Sequence, residues 1–191
     1  MEAEVQALIQ KADRADPVAA DALFEMLYAE LHRLAQSSLR RAGGSITLGA
    51  TTLLHEAYLN MVGRDDVKFP DQARFLGYAS RAMRGLVIDY TRRRRAKKRG
   101  RDLEITFDGD EVQPAEAVQE ARELEQLGDA LDELATLEPT LAELVDMHFF
   151  CGFTFVEISA LRGVSERTVR RDWRKARLLL HRTLLDRAEE D

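Results

Sequence analysis

Apolar residues recur with helical spacing along nearly the whole chain. Between residues 18 and 41, Leu23, Leu27, Leu31 and Leu34 form one stripe with Phe24 and Tyr28 beside it, the three-and-four repeat that gathers side chains on one helical face. Pro17 stands where a first-turn proline is tolerated, Asp16 is placed to cap it, and Gly43-Gly44 ends the run. A second helix is predicted from about 51 to 62, closed by Gly63. After the turn-like VKFPDQ a third runs from about 73 to 95, striped by Phe75, Tyr78 or Ala79, Met83, Leu86 and Tyr90. Residues 100–120 keep no period and are rich in Asp, Glu and Gly, which reads as a flexible linker. Beyond it Leu124, Leu127, Leu131 and Leu134 stripe one helix, and Pro139 opens another containing Leu141, Leu144 and Val145. Residues 154–161 and 165–185 complete the set. Almost nothing alternates with period two, so the expected fold is all-α. It comprises two small helical domains, 1–99 and 121–191, joined by an acidic linker over 100–120.

Composition narrows the class. The 191 residues are 45% hydrophobic and 32% charged, typical of a globular chain. No apolar run approaches the roughly 18 residues that span a bilayer. The opening MEAEVQALIQKADRAD is acidic and amphipathic, unlike a signal peptide, and a cytoplasmic, nucleoid-associated protein is expected. Cys151 is the single cysteine, so neither an internal disulfide nor a cysteine metal cluster can form. His32, His55, His148 and His181 show no ligand-like pairing. No phosphate-cradling loop and no nucleophile with its base is visible, so no enzyme, metal or cofactor is expected.

Net charge is -6, which taken alone argues against nucleic acid. The distribution of that charge points the other way. Residues 92–101 (RRRRAKKRGR) hold eight bases and no acid, 102–138 hold thirteen acids against Arg122 alone, and 162–182 hold eight bases against Glu166 and Asp172. Two basic patches flanking an acidic stretch point to anionic partners at two places.

The second basic patch lies in TFVEISALRGVSERTVRRDWRKARLLLHRTLL. Phe155, Ile158 and Leu161 stripe a short helix, Gly163 supplies the turn, Val164 is placed to plug the core, and Ser165 caps the next helix. That helix would bury Val169, Trp173 or Ala176, and Leu180. Its other face offers Arg167, Arg170, Arg171, Arg174 and Lys175, with Glu166 and Thr168 also able to read base edges. An apolar side on the preceding helix and a donor-rich N-terminal half are the requirements of a recognition helix in the major groove. A solvated basic face is the commoner use of such charge, but the spacing E-I-x-x-L-x-G-V-S-x-x-T-V favours DNA. The first patch ends the striped helix ARFLGYASRAMRGLVIDYTRRRRAKKRGR. A basic last turn suits the helix dipole, yet eight charges in ten residues exceed that need and suit DNA phosphates. Phe69, Phe75 and Tyr78 lie just ahead, either for the core or to stack on unpaired bases.

In order, spacing and two-domain length, the chain resembles bacterial extracytoplasmic-function sigma factors, the smallest promoter-specificity subunits of RNA polymerase. LFEMLYAELHRLAQ, LLHEAYLNMV and RFLGYASRAMRGLVIDYTRRRRA are similar to sigma domain 2, and the stretch from LGDALDEL to RKARLLL to sigma domain 4. The resemblance implies a monomer that binds the polymerase core, at its beta-prime clamp and beta flap, and promoter DNA. It implies a minus-ten contact by Lys68, Phe69, Arg74, Arg81, Arg84, Arg92, Arg93, Arg94 and Arg95. It also implies a minus-thirty-five contact by Ser165, Glu166, Arg167, Thr168, Arg170, Arg171, Arg174 and Lys175. The alternative is a stand-alone helix-turn-helix regulator, which would bind promoters without joining polymerase.

One departure stands out. Such sigma factors usually carry Asp-Ala-Glu-Asp before a Leu-Val-Gln-Glu-like helix, whose acids help bind the beta-prime clamp. Here the residues are Gly49-Ala50-Thr51-Thr52 and Leu53-Leu54-His55-Glu56. The implied polymerase contacts are Thr51, Thr52, Leu53, His55, Glu56 and Asn60, with only Glu56 keeping an acid. A phosphate on Thr51, with Thr52 second, would supply about -1.5 to -2 charge and three acceptor oxygens. A Ser/Thr kinase is therefore expected as a partner, as with other sigma factors showing this departure. The plain alternative is that a threonine merely caps the helix.

Overall fold

A computed structural model describes residues 2–12, 17–42, 47–62, 71–102 and 115–190. These form α1 (Glu2–Ala12), α2 (Pro17–Arg41), α3 (Ala50–Val62), α4 (Gln72–Asp102), α5 (Ala115–Leu137), α6 (Pro139–Val145), α7 (Phe155–Arg162) and α8 (Glu166–Glu190), with no strand among the described residues. None of these helices is long and apolar enough to cross a membrane. The all-α expectation is met.

Most of the stripe residues read from the sequence are buried, although in α7 Phe155 and Leu161 are half-buried and Ile158 alone is fully so. Leu23, Leu27, Leu31 and Leu34 of α2 pack against Leu53, Leu54 and Ala57 of α3, and against Leu76, Ala79 and Met83 of α4. Leu131 and Leu134 of α5, Leu141 and Leu144 of α6, Ile158 of α7, and Val169, Ala176 and Leu180 of α8 form the second half's core. Of the alternatives left open, Ala79 and Ala176 are the fully buried members. Val164 is 41% exposed and does not plug the core. The left-handed turn at Gly163 carries the chain outward there, and Val164 N–H donates to the Ser159 carbonyl instead.

α4 continues to Asp102, beyond the predicted end near 95. Of the segment read as a linker, residues 100–102 and 115–120 are helical, and 103–114 lie outside the described residues. α6 passes directly into a π-helical turn, Asp146–Phe150, which the pattern of apolar residues had not indicated. There the Cys151 N–H donates to the Asp146 carbonyl at 3.1 Å, five residues back. The widened turn leaves Asp146 only 1% exposed, in line with buried Met147 and Phe150.

The two halves pack on each other. α4 lies against α5, α6, the π-turn and α7, and α2 also meets the π-turn. One continuous hydrophobic cluster runs through both halves.

Candidate functional site

α3 is fixed by its inner face. Leu53, Leu54, Ala57 and Met61 are buried, Tyr58 hydroxyl donates to Asp21, and the Phe24 ring sits 4.3 Å from that of Tyr58. Thr47 Oγ1 meets the Tyr90 hydroxyl at 2.6 Å, tying the segment before α3 to α4. The Gly49 carbonyl accepts the first intrahelical bond, from Leu53 N–H at 3.0 Å. Gly49 therefore holds the cap position, and Thr51 and Thr52 stand inside the first turn. Both threonines are exposed, the first turn has no acid, and neither hydroxyl has a hydrogen-bond partner among the described residues. His55, one turn on, places Nδ1 2.8 Å from the Thr51 carbonyl.

Five of the six residues expected at a polymerase contact, Thr51, Thr52, His55, Glu56 and Asn60, are exposed on the outer face of α3. Leu53 is a correction: it is fully buried, because it occupies the inward stripe, and it cannot touch a partner. Leu59, which the sequence did not single out, is 67% exposed on the outer face.

α7, its turn and α8 make a helix-turn-helix. Thr154 Oγ1 accepts from Glu157 N–H while the Glu157 carboxylate accepts from Thr154 N–H, a reciprocal cap at the start of α7. This arrangement holds the Glu157 carboxyl below its ordinary value despite its partial burial. Gly163 adopts φ 63°, and the Ser165 hydroxyl caps α8 by accepting from Thr168 N–H at 3.1 Å. Val169 and Ala176 are buried, while Arg167, Arg170, Arg171, Arg174 and Lys175 are exposed on the other side. Arg170 bonds Glu166 and lies over the Phe155 ring, Arg171 bonds neighbouring Asp172, and Lys175 reaches Glu138 at 2.6 Å. His148 packs within the same half, its ring stacked 4.2 Å from Phe155 and edge-on to Trp173.

The arginines expected to meet minus-ten DNA have a different fate. Lys68 and Phe69 lie outside the described residues, and Arg81 and Arg93 are exposed. Four others are bound to carboxylates of the second half. Arg74 bonds Glu143 at 3.0 Å, Arg92 bonds Asp129, and Arg95 pairs with Glu125 at 2.7 Å. Arg84 donates through Nε to Asp146 at 2.6 Å and through Nη2 to Asp132 at 3.0 Å. Arg84 is only 2% exposed, so in this arrangement it cannot reach DNA. Desolvation of the cation is answered by two carboxylates, and such a group is not a surface contact. A cleft of about 110 Å³ runs beside this network, lined by Arg81, Gly85, Ile88 and Asp89 of α4 and by Gly128 and Asp129 of α5. The acid-rich block was visible in the sequence, but its helical face toward α4 was not.

The family model described as "ECF sigma factor" matches residues 2–186. No curated protein matches the chain.

Proposed function

Because the chain belongs to the extracytoplasmic-function sigma-factor family, which serves transcription initiation with RNA polymerase, we propose how its faces divide that work. The outer face of α3 joins the polymerase core, α4 meets the minus-ten element and α8 the minus-thirty-five element. Phosphorylation of Thr51, or of Thr52, by a Ser/Thr kinase strengthens the polymerase contact at the beta-prime clamp.

The observation that carries this reading is the first turn of α3: two exposed hydroxyls and no carboxylate. A basic clamp surface needs negative charge opposite it, and a neutral face forfeits charge-assisted pairs worth about 2–5 kcal/mol each when buried. The helix N-terminus favours an anion there by roughly 0.3–1 kcal/mol, so a phosphate finds the backbone already poised for it. Capping is an insufficient role for these threonines, since Gly49 holds the cap position and neither side chain bonds the helix among the described residues.

The test is affinity for core polymerase, measured with unmodified, kinase-treated and Thr51→Glu protein. Phosphorylation is expected to tighten binding about ten-fold or more, equivalent to ~1.4 kcal/mol per decade. Glutamate should recover only part of that gain, having about half the charge. Equal affinities for all three would refute the switch.

A further inference from the structure

We infer that Arg170 reads a guanine of the upstream promoter element, and that Glu166, Phe155 and His148 hold its guanidinium in the plane this requires. The inference rests on the reading of α8 as the minus-thirty-five element's partner. It makes Glu166 a positioning residue rather than a reader of bases.

The exposed cations of α8 have different settings. Arg171 bonds Asp172 beside it, and Lys175 reaches Glu138. Arg167 and Arg174 have no carboxylate partner among the described residues. Arg170 is both bonded and stacked. Its Nε donates to Glu166 Oε1 at 2.8 Å and its Nη2 donates to the same oxygen. Its guanidinium carbon lies 5.0 Å from the centre of the Phe155 ring.

Those contacts use particular hydrogens. A guanidinium carries five N–H groups in a fixed fork. The Nε hydrogen and one on Nη2 serve Glu166, which leaves both hydrogens of Nη1 and the second of Nη2. This remaining end edge offers two parallel donors, the match for O6 and N7 of guanine in the major groove. The Arg170 side chain keeps 58% of its surface open, so its supports do not enclose it.

A fixed plane is what separates a base reader from a phosphate contact. A phosphate accepts a cation from many directions, whereas a base edge takes two hydrogen bonds in one plane. An arginine already held in that plane loses less side-chain freedom on binding. With its charge balanced by Glu166, Arg170 also has less to gain from a phosphate than Arg167 or Arg174.

The support runs back into the core of the second half. Phe155 is half-buried at the start of α7, and its ring is stacked 4.2 Å from that of His148. His148 is fixed in turn, its Nδ1–H donating to the Phe153 carbonyl at 2.6 Å and its ring edge-on to Trp173 at 4.7 Å. His148 belongs to the π-turn Asp146–Phe150. One extra residue in a helical turn re-aims the side chains that follow by about 100°. The π-turn thus has a use: it sets His148 against Phe155, and through Phe155 it steadies Arg170.

The test takes the full chain, at saturating concentration with core polymerase, and selects from promoters randomised over the upstream element. The wild type is expected to select a guanine at one position, about ten-fold over other bases. Arg170→Lys keeps the charge but has no fork; it should lose that preference and retain those at other positions. Glu166→Gln and His148→Leu should weaken the same preference about three-fold, with little change in binding to unselected DNA or in thermal unfolding. Replacing the selected guanine by 7-deazaguanine, which lacks the N7 acceptor, should cost the wild type several-fold and Arg170→Lys nothing. A guanine preference that survives Arg170→Lys overturns the assignment, as does a wild-type selection that contains no guanine. A Glu166→Gln protein that selects a different base shows Glu166 reading DNA itself and overturns its positioning role. A wild type with no base preference anywhere in the upstream element refutes the minus-thirty-five reading instead, a result distinct from the loss of one guanine.

Discussion

Asp146 shows how one side chain can join two halves of a protein. It is buried at the head of the π-turn, facing Arg84, with Arg81 and Asp132 close enough to act on its charge. Burial pushes its carboxyl up to about 6, and the attraction of Arg84 opposes this without overcoming it. An aspartate exposed by opening titrates near 4. The higher value belongs to the closed form, so protonation favours closure. That contribution is complete below about pH 4 and is lost as pH rises through about 6. Fluorescence energy transfer between dyes on α3 and α8 should therefore report a falling closed fraction between about pH 4 and 6, a step absent from Asp146→Asn. A wild-type profile that is flat, or that slopes the other way, contradicts the assignment. Removing the side chain is a different matter. Asp146→Ala leaves Arg84 buried beside Asp132 alone, a loss of about 3–5 kcal/mol for a broken buried pair, and opening of the joint is the expected relief.

At the scale of elements, the helix-turn-helix was the most legible part of the chain. Its glycine, the Ser165 cap and its apolar stripe are local signals, and the structure uses Gly163 and Ser165 as those signals require; the Thr154 cap of α7 was not read, its residue having been placed inside the helix. Ser165→Ala should cost about 1 kcal/mol in chemical denaturation, the usual value of an N-cap. Arg167→Ala leaves the fold untouched, since that side chain is exposed on the far side of α8. It should weaken binding to a promoter's upstream element by about 1–3 kcal/mol and relax its sequence preference. A change uniform across all DNA sequences would place Arg167 on a phosphate instead. The π-turn was not legible, because one extra residue in a turn leaves no mark in an apolar pattern. Leu53 was misplaced for a related reason, and Leu59 was not read at all. Both are leucines on α3, and the packing of α2 and α4 decides which one points inward. Val164 likewise follows the direction of the turn rather than its own hydrophobicity.

For the whole molecule, the sequence shows two basic patches and one acidic block but not which of them meet. Contacts such as Arg92 with Asp129 and Arg84 with Asp146 join residues far apart in the chain, and no local pattern encodes them. What was legible was the charge asymmetry; Gly77 and Gly128 gave no signal in the sequence, and their close neighbours Glu143 and Ile88 appear only in the structure. Several of these pairs are partly exposed, so salt should screen them, the Debye length falling from about 30 Å at 0.01 M to about 3 Å at 1 M. Small-angle scattering should give a radius of gyration of roughly 16 Å in low salt, as for any compact chain of this length, and a larger value as salt rises. The first turn of α3 is exposed and has no acid, whereas arginines of α4 are paired with the second half; on the proposed reading the first waits for charge and the second for polymerase. The most direct test of that division is promoter-directed transcription by core polymerase with the full chain, with and without kinase treatment. We predict a strong specific transcript from the treated protein, a weak one from the untreated protein, and no response to the kinase when Thr51 and Thr52 are both alanine. Equal transcription from treated and untreated protein would contradict the division.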